Sequence, residues 1–432
     1  MSFQFSQDQL DAVDGICDEL VNSVPIENHA IAVLTGSAGT GKTTVVREIM
    51  NKIHTDWPLT TIELCATTHR AATVLDNIAG APVTTGHALF KLRPTLTKYG
   101  KEVLSNAGIC EIPNGSVVII DESSMIGNQF LKAIVDIVKK RVLKLLFVGD
   151  PFQLPPPTDI CSIFDGSLYT FRLTTVHRQA GGNPILEKAN EFREYIEGVR
   201  NIEPVLETNI NSKGEGIHVL PHSDFVAKFV QKYIDYSAGA EVDVPLCTYT
   251  NESAINYNSM VRKAAYFLED TIEPFYPGER LIVNSVVMHG DKTILSNNET
   301  VYIDEYTEGE WEGIPGYFVS LTGSYNEHAR SNRKKVFSPK TKAAAEKVLK
   351  EEKAIAVKSK SKTGWQAYYK IKNSLADLRP PFAGTTHKAQ GGTFPAVFID
   401  KTNINKCKNP ATRARLFYVA LTRASENVYI NS

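Results

Sequence analysis

A glycine-rich run between residues 36 and 43 has the spacing of a phosphate-binding loop. It reads Gly36-Ser37-Ala38-Gly39-Thr40-Gly41-Lys42-Thr43, in the order GxxxxGK[ST]. Glycines allow the backbone to curl so that its N–H groups face a polyphosphate at the positive end of a following helix. In such a loop the lysine, here Lys42, reaches the β- and γ-phosphates, and the Thr43 hydroxyl holds Mg²⁺. The run therefore predicts a binding site for a nucleoside triphosphate.

The flanks of this run support the same interpretation. An apolar stretch at residues 31–34 precedes it, and a helix-compatible stretch at residues 44–50 follows it. The alternative is a chance glycine-rich turn, which has no need of a strand before it and a helix after it. The order strand, loop, helix is the context that the phosphate-binding motif requires.

A pair of acids follows another apolar run farther along the chain. Residues 117–120 predict a buried strand, and Asp121 and Glu122 come directly after it. A carboxylate at this place can hold Mg²⁺, and a second one can orient and deprotonate the attacking water. Adjacent acids at a strand end are commonly surface residues, but their position downstream of a phosphate loop favours a catalytic role.

Two glutamines could also serve a nucleotide site. Gln9 stands near the start of a helix predicted over residues 6–22, and its amide offers a donor and an acceptor that suit the edge of adenine. Taken alone it would more often be a solvent-facing residue, and the nucleotide site downstream is what favours the functional reading. Gln153, after the strand predicted at residues 143–148, is placed to sense the γ-phosphate.

Hydroxyl groups at helix starts offer contacts for a nucleic-acid backbone. Thr67, Thr68 and His69 follow a strand predicted at residues 61–66, and His87 belongs to a similar helix start. Backbone N–H groups and hydroxyls at such positions can bind phosphates. For either stretch alone, ordinary helix capping is the better explanation.

The order of predicted elements indicates an α/β protein with two interruptions. Strands alternate with helices up to about residue 180, and a second α/β unit begins near residue 184, which predicts parallel sheets with the site at their carboxyl ends. Residues 91–113 predict an inserted hairpin that turns near Tyr99, which is either an inert loop or a wedge. Residues 277–337 predict a small β-barrel. Residues 333–372 are lysine-rich with aromatics near Trp365, which fits single-stranded nucleic acid and a solvated helical arm equally well.

Composition sets the class of protein. The chain has 432 residues, enough for two to four domains. Its 47 basic and 48 acidic residues nearly cancel, so a nucleic-acid surface would have to be a local patch. Six cysteines without a CxxC pair predict reduced thiols. Without a signal-peptide pattern or an apolar run of about 20 residues, we expect a soluble, cytoplasmic protein without a membrane partner.

Seven stretches of the chain, taken together and in this order, resemble the motifs of superfamily 1 helicases of the RecD-like branch. They are GSAGTGKT (36–43), ATTHRAA (66–72), DESSM (121–125), GDPFQLPP (149–156), VHRQ (176–179), THKAQGGT (386–393) and FYVALTRA (417–424). The resemblance implies two RecA-like P-loop NTPase domains with an inserted pin hairpin and an inserted SH3-like β-barrel domain with an arm. The implied boundaries are residues 1–180 for the first domain with the pin at about 91–113, 181–276 and 377–432 for the second, and 277–376 for the barrel and arm.

The resemblance also assigns roles to individual residues. It places at the Mg·ATP site Gln9, Gly36, Ser37, Ala38, Gly39, Thr40, Gly41, Lys42, Thr43, Thr44, Asp121, Glu122, Gln153, Gln390 and Gly391. It makes Arg178 and Arg423 arginine fingers that cross the cleft between the domains. It places near single-stranded DNA Thr67, Thr68, His69, His87, Thr250, Asn251, Thr386 and His387, with Tyr99 and Val103 as candidates for separating the strands.

The activity that the resemblance implies is ATP-dependent translocation. Members of this branch move 5′ to 3′ on single-stranded DNA and unwind the duplex at single/double-strand junctions, so we expect a monomeric DNA helicase, in the host cytoplasm if a phage encodes it. Single-strand-binding and replication proteins are expected partners. The alternative is a DNA-stimulated ATPase that strips proteins from DNA or mediates recombination without substantial unwinding. The two arginine-bearing motifs argue against an NTPase switch that does not act on DNA.

Overall fold

The computed structural model describes most of the chain. The residues described are 5–22, 30–68, 71–72, 75–76, 83–96, 102–106, 108–156, 159–175, 183–237, 245–266, 273–290, 292–323, 333–359 and 361–432. They form two compact units, one made of residues 1–93, 104–256 and 384–432, and the other of residues 94–103 and 257–383. Within the described residues, no helix is long and apolar enough to cross a membrane.

Helices and strands alternate along much of the chain. The helices are α1 (Gln7–Cys17), α2 (Lys42–Asp56), α3 (Gly86–Leu89), α4 (Asn128–Arg141), α5 (Pro184–Glu197), α6 (His222–Ser237), α7 (Asn251–Ala265), α8 (Lys342–Ser359), α9 (Lys362–Ser374), α10 (Thr386–Ala389), α11 (Lys401–Ile404) and α12 (Pro410–Thr422). The strands up to residue 248 are β1 (Ile31–Gly36), β2 (Ile62–Ala66), β3 (Thr84–Thr85), β4 (Leu92–Leu96), β5 (Glu102–Asn106), β6 (Val117–Asp121), β7 (Lys144–Gly149), β8 (Tyr169–Leu173), β9 (Asn209–Ile210), β10 (Gly216–Leu220) and β11 (Leu246–Thr248). Those after it are β12 (Arg280–Val283), β13 (Val287–His289), β14 (Lys292–Leu295), β15 (Thr300–Trp311), β16 (Ile314–Thr322), β17 (Lys334–Pro339), β18 (Leu378–Arg379), β19 (Ala383–Thr385), β20 (Phe394–Ile399) and β21 (Ala424–Asn431).

The first unit contains a six-stranded parallel sheet in the order β3-β2-β6-β7-β1-β8. Its central strands are continuous apolar runs because both faces are covered, and residues 117–120 and 145–148 are fully buried. The strands predicted at 31–34, 61–66, 117–120 and 143–148 are all confirmed. Because the strands are parallel, the carboxyl ends of β1, β6 and β7 meet at one edge, which brings Gly36, Asp121 and Gly149 together.

A second six-stranded sheet in the same unit has the order β19-β11-β20-β21-β10-β9. Strands β11, β20, β21 and β10 run parallel, and β9 pairs antiparallel with β10. The sheet packs with α5 and α12 around a core that includes Phe192, Val397 and Phe417. Leu154, from the loop after β7 of the first sheet, is buried in the same core. The second sheet is therefore anchored to that loop by apolar packing.

Strands β4 and β5 form a two-stranded sheet where the sequence predicts a hairpin. The predicted turn, with Tyr99, lies outside the described residues. Val103 lies on β5 and is half-buried.

The second unit is built on an antiparallel sheet in the order β17-β16-β15-β12-β18. The predicted strands at 280–283, 300–303 and 316–319 are present, but β15 continues to Trp311 and β16 spans Ile314–Thr322. Pairing extends past the apolar segment because Gly313, with φ of 75°, closes a tight turn that keeps both strands in register. Helices α8 and α9 pack against each other. Trp365 is 6% exposed and meets Tyr368 edge to face, so its ring is packed within this unit and is not an open platform for a base.

Candidate nucleotide site

The phosphate loop lies between the end of β1 and the start of α2, as its sequence predicts. Gly39 and Gly41 have φ of 85° and 80°, the left-handed region that favours glycine. A Cβ atom added to Gly41 would also lie 2.6 Å from Nε2 of Gln9. Gln9 is fully buried, its Nε2 donates to the Thr40 carbonyl at 3.0 Å, and its Oε1 accepts from Ser6 N at 3.1 Å. Gln9 therefore supports the back of the loop.

The Lys42 ammonium lies on the inner side of the same loop. Its Nζ donates to the carbonyls of Gly36 at 2.7 Å and Ser37 at 3.1 Å. The Oγ of Ser37 is buried and has no hydrogen-bond partner among the described residues. A cation held only by carbonyls beside an unpartnered hydroxyl suits an anionic ligand with several oxygens, because both groups gain a stronger acceptor when it binds. Thr43 and Thr44 follow Lys42 in the first turn of α2 and are half-buried.

The two acids lie at the end of β6, on the same edge of the sheet. Burial, and then the neighbouring Glu122, raise the pKa of Asp121 to about 7, against the lowering effects of the Glu122 N–H and Lys42. The Glu122 N–H donates to Asp121 Oδ1 at 2.8 Å. Glu122 has φ of 52°, which is uncommon outside glycine and is stored strain of a kind found at functional sites. Carboxylate and hydroxyl oxygens are ligands that Mg²⁺ prefers, so Asp121 and Thr43 fit that ion.

Of the predicted DNA-contact residues of the first sheet, Thr67 contacts the acidic pair. Thr67 Oγ1 donates to the Glu122 carbonyl at 3.1 Å, so a residue after β2 is bonded to the acidic pair. Thr68 caps the turn that follows, accepting from Ala71 N at 3.2 Å. The His87 ring stacks on Phe130 with 4.2 Å between centroids, and desolvation lowers its pKa below 6.5. His69 lies outside the described residues.

Two glutamine side chains meet across the two sheets. Gln390 Nε2 donates to Gln153 Oε1 at 3.3 Å and to the Leu154 carbonyl at 3.2 Å. Gln390 Oε1 is buried and has no hydrogen-bond partner in the described part of the chain. Gly391 has φ of 77°, and a Cβ there would lie 3.1 Å from the Ala71 side chain, so glycine is needed for both reasons. Two of the three glutamines predicted at the nucleotide site, Gln153 and Gln390, are thus brought together.

Helix α12 supplies two side chains, those of Tyr418 and Arg415, whose contacts the sequence analysis missed. Tyr418 is 1% exposed, its hydroxyl donates to Asp150 Oδ2 at 2.6 Å, and it accepts from Ala38 N of the phosphate loop at 3.3 Å. Arg415 donates to the carbonyls of Pro151 and Gln153. Tyr418 lies within the FYVALTRA motif, and Arg415 lies one turn before Tyr418. This position was the available sequence signal, but the motif draws attention only to its arginine, Arg423.

Arg423 is buried at the end of α12 and is bonded within its own half. It donates to the carbonyls of Val419 at 3.3 Å and Gly392 at 3.1 Å, and to Thr422 Oγ1 at 3.2 Å. The structure does not bring its guanidinium to the phosphate loop. Arg178, the other predicted finger, lies outside the described residues.

The predicted DNA-contact residues of the second sheet differ in exposure. Thr386 is fully buried and its hydroxyl donates to the Thr248 carbonyl at 3.1 Å, so this side chain has its partner within the sheet, and its predicted position near DNA stays a prediction. Thr250 exchanges hydrogen bonds with Asn403 and caps α7. Asn251 is exposed at the start of α7. His387 is half-buried, and burial lowers its pKa below 6.5.

Comparison with known proteins places this site in context. Residues 6–198 match the family described as an AAA domain, and residues 381–431 match the UvrD-like helicase C-terminal domain. The chain is 24% identical to the ATP-dependent DNA helicase dda of Enterobacteria phage T4, over 95% of this chain and 96% of that protein. It is 30% identical over 167 residues to the ATP-dependent RecD2 DNA helicase of Deinococcus radiodurans, covering 38% of this chain and 22% of that protein.

A solved structure supports the fold. It is described as the structural basis for DNA unwinding at forked dsDNA by two coordinating Pif1 helicases. The match covers 100% of this chain and 92% of the solved chain, with a TM-score of 0.51 and 16% sequence identity. The two parallel sheets accordingly have a RecA-like α/β fold. The phosphate loop, the acidic pair and the motifs of both sheets lie on one chain, and DNA helicase dda matches it over nearly its whole length. The chain is therefore similar in sequence and fold to the superfamily 1 helicases of the Pif1/RecD-like family.

Proposed function

We propose that this chain is an ATP-dependent DNA helicase that moves 5′ to 3′ along single-stranded DNA as a monomer and unwinds duplex DNA at junctions. The observation that carries the proposal is the joining of the two sheets at the nucleotide site. Gln390 and Tyr418 of the second sheet's motifs are bonded to Gln153, Asp150 and the phosphate loop of the first. A site assembled from both halves can couple hydrolysis to their relative motion.

The nucleotide in this proposal is Mg·ATP. Lys42 would bind the β- and γ-phosphates, and Thr43 and Asp121 would hold Mg²⁺, which supplies charge neutralisation at the phosphates. Glu122 would orient and deprotonate the attacking water, and Gln153 would sense the γ-phosphate. Arg178 and Arg423 would act as fingers, for which Arg423 must exchange its present carbonyl partners for a phosphate. Gln9 would contact the base, for which its buried amide must exchange its present bonds to Thr40 and Ser6. Thr44, Gln390 and Gly391 would complete the site.

Single-stranded DNA in this proposal runs along the carboxyl edges of both sheets. Thr67, Thr68 and His87 would contact it on the first sheet, with His69, and Thr250, Asn251 and His387 on the second. Thr67 is bonded to the Glu122 carbonyl, so a strand held there would be mechanically linked to the group that activates water. That link offers a physical route for DNA to stimulate hydrolysis.

The inserted segments would act on the duplex. Strands β4 and β5 would form a pin, with Tyr99 or Val103 as the wedge, and residues 277–376 would be an SH3-like domain with an arm. The RecA-like domains would be residues 1–180, and residues 181–276 with 377–432. Single-strand-binding and replication proteins would be the partners, in the cytoplasm of the cell or of a phage's host.

The test is ATPase activity with and without single-stranded DNA, measured beside strand displacement on duplexes with a 5′ or a 3′ tail. We expect strong stimulation by DNA and displacement only from the 5′ tail. Displacement from the 3′ tail would reverse the polarity. An ATPase that DNA does not stimulate would refute the helicase assignment.

A hairpin variant separates unwinding from protein stripping. Replacing residues 98–101 by a short turn should preserve DNA-stimulated ATPase and lower the rate of duplex unwinding, because translocation needs no wedge. The matched control shortens the exposed turn at residues 212–214, which lies between β9 and β10. Equal loss of both activities in the hairpin variant would remove the pin from the proposal.

A further inference from the structure

The Tyr418 hydroxyl is the centre of a buried chain of hydrogen bonds that crosses from one sheet to the other. Ala38 N of the phosphate loop donates to it at 3.3 Å, and it donates to Asp150 Oδ2 at 2.6 Å. Asp150 is fully buried, and its other oxygen accepts from Phe152 N at 3.0 Å. The chain therefore joins the loop that would bind phosphate, the loop after β7 and helix α12.

Other contacts make α12 and the loop after β7 move as one body. Arg415, one turn before Tyr418, donates to the Pro151 carbonyl and, at 2.8 Å, to the Gln153 carbonyl. Leu154 is buried in the core that α12 helps to form. Among the described residues, Tyr418 is the side chain of α12 for which a hydrogen bond to the phosphate loop is seen. A change in the loop can thus be passed to this body through one hydroxyl.

The protonation state of the Tyr418 hydroxyl fixes which groups donate and which accept along this series of hydrogen bonds. Burial, and then Asp150, raise the pKa of Tyr418 well above 10, so the phenol keeps its proton and remains the donor to Asp150. Its oxygen is then the acceptor for the Ala38 N–H. Backbone N–H groups of this loop are also the groups that a polyphosphate orders. When the loop closes on a triphosphate, the Ala38 N–H must either keep its hydrogen bond to the Tyr418 hydroxyl or break it.

We propose that Tyr418 is a positioning residue that couples the state of the phosphate loop to the second sheet, so that nucleotide binding changes the affinity for single-stranded DNA through the Ala38–Tyr418–Asp150 chain. The inference rests on the proposed function, since it describes how that nucleotide site communicates. It assigns Tyr418 no contact with nucleotide or DNA.

The test is a coupling measurement on the full chain. The dissociation constant of a fluorescent single-stranded oligonucleotide is measured with and without a non-hydrolysable ATP analogue, and that of the analogue with and without oligonucleotide. The two ratios must agree by linkage, and couplings between sites are typically about 5- to 150-fold. Tyr418→Phe keeps the buried ring and removes the hydroxyl, and it should reduce the ratio at least about fivefold, towards one. The maximal DNA-stimulated ATPase rate should fall, with a smaller change in the KM for ATP.

Two further variants separate positioning from mere stability. Tyr195→Phe removes a hydroxyl from a half-buried ring packed against the same core and should leave the ratio unchanged. Asp150→Asn keeps an acceptor for Tyr418 and should lower the ratio less than Tyr418→Phe. If the three groups act as one unit, the double variant should be no worse than Tyr418→Phe alone.

Several outcomes would overturn the inference. A Tyr418→Phe protein with a lower melting temperature but an unchanged ratio would show a structural role only. If Tyr418→Phe does not fold, Asp150→Asn takes its place. An unchanged ratio of dissociation constants in Asp150→Asn would show that the Ala38–Tyr418–Asp150 hydrogen bonds do not carry the coupling. A wild-type protein whose ATPase responds to DNA but whose two affinities are independent refutes the inference alone. A wild-type ATPase that ignores DNA refutes the proposed function as well.

Discussion

The carboxyl edges of the two sheets both carry polar side chains, but the two sets differ in how well hydrogen bonds within the protein satisfy them. At the first sheet, Ser37 Oγ is buried without a partner among the described residues, and Lys42 is held by backbone carbonyls. Asp121 is desolvated enough to raise its pKa to about 7. These groups are poorly satisfied by the protein alone, as expected for groups that await a charged ligand.

At the second sheet, the corresponding side chains satisfy one another. Asp400 Oδ1 accepts from Asn403 N at 3.0 Å and Asn431 Nδ2 at 2.8 Å, and its Oδ2 accepts from Ser253 Oγ at 2.9 Å. The Thr248 hydroxyl donates to the carbonyls of Thr250 and Gly384. Asn403 Oδ1 accepts from the N–H groups of Tyr249 and Thr250.

This difference shows how two sheets of the same fold can have different roles. The first edge is unsatisfied and therefore suited to bind and release a ligand. Apart from the unpartnered Gln390 Oε1, the described side chains of the second edge form a hydrogen-bond network, which gives rigidity and costs free energy to disrupt. We infer that the second sheet acts as a stiff body that follows the first. The predictions below test that contrast, beginning with the largest effect.

Lys42→Ala should abolish the chemistry of the first edge. It removes the cation that would neutralise the β- and γ-phosphates, and we expect the ATPase rate to fall by at least about 10²–10³. Single-stranded DNA binding should persist, measured by fluorescence anisotropy. The control is Lys52→Ala on the same helix, whose ion pair with Asp14 is near the surface and should matter little. Loss of DNA binding would instead indicate a misfolded first sheet.

Glu122→Gln should separate nucleotide binding from hydrolysis. The amide keeps the shape but cannot take a proton, so the ATPase rate should fall about 10²–10⁴-fold while ATP affinity is retained. Rapid-quench kinetics and equilibrium nucleotide titration measure the two quantities. Glu63→Gln on β2 serves as the control and should be near wild type. A Glu122→Gln protein with normal turnover would mean that a residue other than Glu122 is the general base.

Thr386→Val should destabilise the protein without affecting its affinity for DNA. The buried hydroxyl donates to the Thr248 carbonyl, and leaving that carbonyl unpaired should cost about 1–3 kcal/mol of unfolding free energy. Chemical denaturation and oligonucleotide titration report the two effects. Thr402→Val, at an exposed position, is the control. A large loss of DNA affinity in a folded Thr386→Val protein would mean that the second edge opens to bind DNA.

Asp8→Asn should have the smallest effect, and the effect should depend on pH. Although burial raises the pKa of Asp8, hydrogen bonds from Ser6, Thr175 and Thr174 outweigh it and hold the pKa well below 3.8. A lowered pKa means that the carboxylate stabilises the folded state above the unfolded pKa of about 3.9, and that this stabilisation is lost as the pH falls further. Because Asp8 is partly exposed, we expect less than about 1 kcal/mol.

The measurement for Asp8 is urea unfolding at pH 7, 4 and 3. The difference between wild type and Asp8→Asn should be greatest at pH 7 and smaller at pH 3, where the loss is only partial because the folded-state pKa lies lower still. Asp11→Asn, on an exposed part of the same helix, should show no comparable trend. A difference that grows as the pH falls would contradict the sign.

Sequence reasoning succeeded where structure is local. The phosphate loop, the strand before Asp121 and the alternation of the first sheet are set by runs of fewer than about ten residues, and each is present as predicted. It failed where a side chain finds its partner far along the chain. Thr386 resembles an exposed helix start until its bond to Thr248 is seen, and Tyr418 meets Ala38 only after both sheets have formed. Trp365 in the arm was ambiguous because composition does not reveal which face of a helix is covered.

The pairing of β10 with β21 has a consequence for how the chain is made. Gly216 is in register with Asn427, so two neighbouring strands of one sheet are separated by roughly 200 residues of chain. On the ribosome, β10 has an open edge until β21 has left the exit tunnel, whereas the first sheet is complete once residue 173 has emerged. An open edge of this kind is prone to pair with other chains during synthesis. The half that would hold the nucleotide can thus fold early, and the half that would follow its motion must wait for the last strand.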